Sequence, residues 1–105
     1  ALLMAAQQAV QRVQASDALL DYLQALIAAT RNGRWFVEGL SPRAGIAILR
    51  AARARALLAQ RTYVAPEDVQ AILPQTAAHR LVPVAGAGRG RVEQVRAMIE
   101  AVPLP

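Results

Sequence analysis

The stretch from Ser41 to Gln60, S-P-R-A-G-I-A-I-L-R-A-A-R-A-R-A-L-L-A-Q, constrains this chain more than any other. It spells a helix start and then nothing that would stop one. Ser41 suits an N-cap, its hydroxyl accepting from an orphan backbone N–H. Pro42 falls at the first helical position, where a missing N–H costs nothing. Alanine and leucine, strong helix formers, fill most of the positions up to Gln60. Arg43 is out of place in the first turn, because the positive end of the helix dipole favours acids there and not cations. An arginine at that position makes sense if an anion comes to meet it. Free N–H groups, dipole and guanidinium would then point at one phosphate-sized target.

Across the chain, hydrophobic residues make up 55% of the 105 positions but aromatics only 4%. With few β-branched runs, that balance reads as one small all-α domain, a helical bundle. No stretch approaches the ~20 unbroken apolar residues that span a membrane. Ala1 to Ala6 are apolar, yet Gln7, Gln8 and Gln11 follow too soon for a signal peptide. The chain does not begin with Met, and the expectation is a fragment of something longer. No cysteine is present, which removes disulfides, thiolate chemistry and cysteine-bound zinc, and fits the cytoplasm. All 12 basic residues are arginine. Without lysine the chain has neither a P-loop lysine nor a Schiff-base lysine.

The helices can be placed by periodicity. Leu2, Leu3, Ala6, Val10 and Val13 outline a first helix. Ser16 caps a second, which carries Leu19, Leu20, Leu23, Leu26 and Ile27 to about Thr30 and ends at Asn32-Gly33 in a left-handed turn. Trp35 and Phe36 either plug one end of the bundle or meet a neighbouring subdomain or subunit. The central helix runs from Pro42 to about Gln60, with Ile48, Leu49, Ala52, Ala56 and Ala59 on one side. At about 100° per residue, Arg43, Arg50 and Arg61 fall within about 20° of one another on the other side. Arg50, Arg53 and Arg55 read as a solvated face, or as an anion-facing stripe continuing from Arg43.

Pro66, with Glu67 and Asp68 in the first turn, starts the next helix, and both carboxylates read as dipole partners. Ala65 gives that helix no side-chain cap, so its start is expected to fray. Pro74 ends or restarts it, and Thr76 to Arg80 add a further turn or two. His79, the one histidine, reads as structural or surface, since it has no second ligand or serine partner. Residues 82–90, V-P-V-A-G-A-G-R-G, read as a flexible loop; the glycine spacing matches no phosphate-binding fingerprint. Residues 91–102 form a last amphipathic helix on Val92, Val95, Met98, Ile99 and Val102. The fold expected is therefore about four principal helices plus a C-terminal one after a Gly/Pro-rich loop, in a single domain over 1–105.

Ser41-Pro42-Arg43-Ala44, the alanine- and leucine-rich helix behind it, Arg61 to Val69, His79-Arg80-Leu81 and the closing Val102-Pro103-Leu104-Pro105 together resemble the C-terminal lid of MoxR-type AAA+ ATPases. The resemblance runs in order from Ser16 to the end. It implies that Arg43 is the sensor 2 arginine, reaching the γ-phosphate of ATP, with Ser41 and Pro42 as its nucleotide-facing neighbours. ATP and its Mg2+ would be held by an α/β core outside these residues, and the chain alone would neither hydrolyse ATP nor bind it tightly. The first helix would lie just past the hinge from that core. The resemblance further implies a homo-oligomeric ring with chaperone-like action on a client protein, and no metal site in the lid itself. Gly45 stands where a serine or similar residue is expected, and would permit close approach of backbone or nucleotide. Ala65 stands in place of a capping threonine.

Two other classes compete. The net charge of +5 and the arginine stripe suit a small nucleic-acid-binding module. Against it stand the lack of aromatic interleaving and of a helix start with base-reading polar residues. The third is a helical protein–protein adaptor with no nucleotide role. A lid needs one arginine at a helix N-terminus, whereas a nucleic-acid binder needs a broad patch whose affinity falls steeply with salt.

Overall fold

The computed structural model of the chain describes residues 2–105, the side chain of His79 excepted, so the reading of that histidine lies outside the described residues. Five α-helices follow in order: α1 Leu2–Arg12, α2 Asp17–Arg31, α3 Pro42–Leu58, α4 Pro66–Ala77 and α5 Arg91–Ala101, with a 3-10 turn over Ala78–Arg80. No strand occurs among the described residues, and the all-α bundle expected from the sequence is what forms.

The helix boundaries follow the capping chemistry. Ser16 Oγ accepts from the Leu19 N–H at 3.1 Å and starts α2. Gly33, at φ +78°, takes the left-handed position after its end. α3 ends differently. Gln60 adopts φ +61°, its N–H donates to Leu57 O, and the Arg61 N–H donates to Ala56 O. These two bonds are the Schellman pattern with a glutamine where glycine is usual. The left-handed residue swings the chain away from the helix axis, so Arg61 leaves the line projected for it with Arg43 and Arg50. Ala59 caps the helix and is exposed rather than joining the core side. Pro74 neither ends nor restarts α4; the helix passes through it, with Pro74 buried and its carbonyl accepting from Ala78. The lost N–H costs one bond in a helix that is otherwise held by packing.

α3 forms its most extensive packing with α4, and also meets α1 and α2. Ala44, Gly45, Ile48, Ala52 and Ala56 are its buried side. The small side chains let neighbouring helices come close. At Gly45 a Cβ would sit 2.6 Å from Ile27 Cδ1, so the missing side chain admits α2. α5 packs on α2 and α4 through Val95, Met98 and Ile99. Phe36 is fully buried in the core, while Trp35 is half-buried with Arg34 stacked 4.9 Å from its ring centroid.

Two short backbone pairings tie the links together. Gln14 donates to Thr62 O at 2.9 Å and accepts from Val64 N–H at 2.8 Å. Val37 donates to Val82 O and Val84 donates to Trp35 O, which ties residues 82–84 to the α2–α3 connection. Gln94, buried on α5, donates to Trp35 O and accepts from Arg89.

The corner between α3 and α4 is built on one carboxylate. Asp68 is fully buried and accepts from Arg55 Nη1 at 2.7 Å, from both terminal nitrogens of Arg61 at 2.6 and 2.8 Å, and from the Ala65 N–H at 2.8 Å. Asp68 is thus more than a dipole partner, and the start of α4 is fixed despite its alanine cap, because Asp68 bonds back to the cap residue. Glu67 reaches Arg61 only at 3.5 Å and stays largely in water. Burial pushes the Asp68 carboxyl up, but Arg61, the Ala65 N–H and Arg55 outweigh it and bring it down to about 2. Its folded value lies below the ordinary 3.8, so this contribution is complete above that value and is lost as pH falls towards 2. Asp68→Ala should destabilise the chain by about 2 kcal/mol in urea unfolding at pH 7, since it leaves the largely covered Arg61 guanidinium and the Ala65 N–H without their acceptor, while Arg55 is open to water. The wild type should lose about 2 kcal/mol between pH ~4 and pH ~2 through this group, and Asp68→Asn should flatten that loss.

Candidate functional site

The start of α3 is assembled by the last turn of α2. Thr30, fully buried, uses one hydroxyl twice: it donates to the Ile27 carbonyl within its own helix and accepts from the Leu40 N–H at 3.0 Å. Arg31 Nε donates to the Leu40 carbonyl at 2.6 Å. Leu40 is therefore held by both of its backbone polar groups, and its side chain is buried in the core. Gly39 lies flat against Arg31, where a Cβ would come within 2.7 Å of the Arg31 Cα.

Ser41 comes directly after and caps α3, its Oγ accepting from the Ala44 N–H at 3.2 Å. Pro42 is the first helical residue. Arg43 is exposed, and no described residue makes a hydrogen bond or ion pair with its side chain. The first turn of α3 contains no acid. The cap takes the Ala44 N–H, the Gly45 N–H bonds to Ser41 O, and Pro42 has none. The helix thus offers the Arg43 N–H and guanidinium at its positive end, a smaller donor set than a row of free amides.

The other arginines go separate ways. Arg50 is exposed, and with Gln7, Val10, Gln11 and Ala51 it lines a cleft of about 610 Å³ between α1 and α3. Arg53 is half-buried, and its Nε is buried with no hydrogen-bond partner among the described residues. Arg55 and Arg61 both belong to the Asp68 cluster, so neither forms part of a free cationic stripe. The hydrogen bonds that Arg61 donates to Asp68 also raise the Arg61 pKa against the effect of burial. On the other flank of α3 an apolar groove of about 430 Å³ runs beside the cap, lined by Leu20, Leu23, Ile27, Pro42, Ile46 and Leu49. Among the described residues no group of three or more His, Asp or Glu could hold a metal ion, and no helix is long and apolar enough to cross a membrane.

Sequence reasoning places Ser41, Pro42 and Arg43 in one turn, and the structure keeps them there. It misses Thr30, Arg31 and Gly39, which hold that turn from upstream. The only local trace of them is a threonine facing inward in the last turn of α2.

Comparison with known proteins covers most of this architecture. The AAA lid domain family matches residues 28–101. The chain is 41% identical over 76 residues to the uncharacterized protein YeaC of Bacillus subtilis, an alignment spanning 72% of this chain and 24% of YeaC. It is 40% identical over 74 residues to the chaperone MoxR1 of Mycobacterium tuberculosis, spanning 62% of this chain and 20% of that one. It is 42% identical over 71 residues to the protein MoxR of Methylorubrum extorquens, spanning 64% and 21%. A crystal structure of a Cytophaga hutchinsonii protein assigned as an ATPase superposes with a TM-score of 0.82 at 25% identity, over 93% of this chain and 33% of that one. The chain spans about a quarter or less of the length of these curated relatives.

Gly39→Ala should cost more than about 1 kcal/mol, because the backbone of Arg31 cannot retreat as a flexible side chain could. Thermal unfolding of the variant against the wild-type chain measures this.

Proposed function

Because the chain belongs to the AAA lid domain family, we propose that it is the lid of a MoxR-type ATPase and that Arg43 is its sensor 2 arginine. The observation that carries the reading is the placement of Arg43: in the first turn of α3, exposed, without a partner among the described residues and at the positive end of a capped helix. A guanidinium so placed suits the terminal phosphate of a nucleotide arriving from outside the domain. As charge builds on the transferring γ-phosphoryl group, Arg43 offsets it. Ser41 and Pro42 contribute by fixing the first turn: the Ser41 oxygen accepts from the Ala44 N–H, which leaves its O–H proton able to face the nucleotide.

The residues present fit a contact to one phosphate and no more. The chain has no lysine and no phosphate-cradling glycine loop. An ATPase core elsewhere in the parent protein would hold ATP and Mg2+, and the lid would close over them. The domain alone would then have no ATPase activity and bind ATP only weakly. The name of one relative, chaperone MoxR1, supports chaperone-like action as the output; a client protein, a homo-oligomeric ring and a cytoplasmic setting are further parts of the proposal, taken from the resemblance. The nucleic-acid reading loses part of its support, because Arg55 and Arg61 are paired with Asp68 within the domain and drop out of the arginine stripe.

In the ATPase that carries this domain, Arg43→Ala should lower steady-state ATP turnover ten-fold or more, on the order expected for an arginine in phosphoryl transfer. Thermal stability should not change, because the side chain has no partner to lose. Unchanged turnover would overturn the sensor assignment.

A further inference from the structure

We infer that Thr30 and Arg31 are positioning residues for Arg43, setting where its guanidinium is presented by gripping Leu40 through both backbone groups. The inference rests on the reading of Arg43 as the residue that meets the γ-phosphate.

The geometry separates this grip from ordinary packing. A threonine near a helix end commonly bonds back to its own helix and stops there. The Thr30 hydroxyl does that with Ile27 O, and its remaining acceptor capacity is spent across the connection on the Leu40 N–H. Arg31 is an exposed side chain with water available to it, yet its Nε turns inward to the Leu40 carbonyl. The two bonds come from consecutive residues and converge on the N–H and C=O either side of a single Cα. Gly39 completes the seat by letting the chain lie against Arg31.

Almost no slack separates this seat from Arg43. Ser41 is committed to its cap bond with Ala44. Pro42 has φ fixed by its ring. Arg43 then continues in helical geometry, with Ala44 and Gly45 buried behind it. A displacement of Leu40 therefore passes to Arg43 without being absorbed by a flexible residue. Phosphoryl transfer is sensitive to such displacement, since misplacing a catalytic group by about 1 Å can cost up to about 100-fold.

The test uses the full ATPase and compares Thr30→Val, Thr30→Ser and Arg43→Ala, with the double variant Thr30→Val/Arg43→Ala. Thr30→Val keeps the shape and removes both bonds. It should lower kcat by about five- to ten-fold with KM little changed. Thr30→Ser, which keeps the hydroxyl, should stay within about two-fold of wild type. In the Arg43→Ala background Thr30→Val should cost nothing further, because its effect runs through that guanidinium. Hydrogen exchange should show faster exchange at Leu40 and Ala44 while α4 and α5 keep their protection. Arg31→Met, which keeps the apolar stem and removes the Nε donor at an exposed side chain, tests the same grip without opening the core and should lower kcat by about three-fold.

Wild-type kcat in Thr30→Val and Arg31→Met, alongside a loss in Arg43→Ala, would overturn the positioning role and leave the sensor reading standing. A full additive loss in the double variant would equally overturn it. If Arg43→Ala itself leaves turnover unchanged, the sensor reading is what fails, and the positioning role falls with it.

Discussion

A carboxylate with no access to water must be matched closely or it unfolds what surrounds it. Asp68 is matched on both oxygens by two guanidinium groups and a backbone N–H drawn from the end of α3, the link after it and the cap of α4. Burying a charge is costly unless its partners and hydrogen bonds are complete. Completeness here requires that three chain segments arrive together. The same link also carries the backbone pairing of residues 62–64 with Gln14, so the junction between α1 and α2 depends on the corner that Asp68 holds.

α3 is consequently fixed at both ends by polar groups and along its middle by small apolar ones. Thr30 and Arg31 seat its entry, the Asp68 cluster seats its exit, and Ala44, Ala52 and Ala56 allow its neighbours to close in. A helix fixed in this way moves with its domain rather than within it. Such rigidity suits the role proposed for Arg43.

The parts of this fold that are legible in the sequence are local ones. Ser16 and Ser41 announce their helices because a cap bond spans three residues. The stripes of α2 and α5 show because burial repeats with the helical period. Where a residue's role depends on partners far along the chain, the sequence misleads. Asp68 looks like an ordinary first-turn acid until Arg55, 13 positions earlier, and Arg61, 7 earlier, are brought against it. Gln60 gives no sign of a left-handed turn, because glutamine is not a residue that favours one, and that single angle redirects Arg61. Gln94 reads as a polar position on α5 and is buried against a carbonyl 59 positions away. The turn bearing Arg43 is visible because it is local. The grip on it is not, because Thr30 and Arg31 sit 10 and 9 positions before Leu40.

α5 makes no helix–helix contact with α3, only with α2, α4 and the 3-10 turn. The turn that leads into it carries Gly86 and Gly88 at positive φ, with open space around both. The base of that loop is hydrogen-bonded to the α2–α3 connection through Val82 and Val84, whereas Gly86 and Gly88 stand clear of it. Exposed tips of this kind are where chains accept inserted segments at least cost to the fold. The tip of the loop before α5 is thus a natural port for a graft: a reporter, tether or additional peptide could enter the domain between Gly86 and Gly88, beyond the residues that pair with the α2–α3 connection.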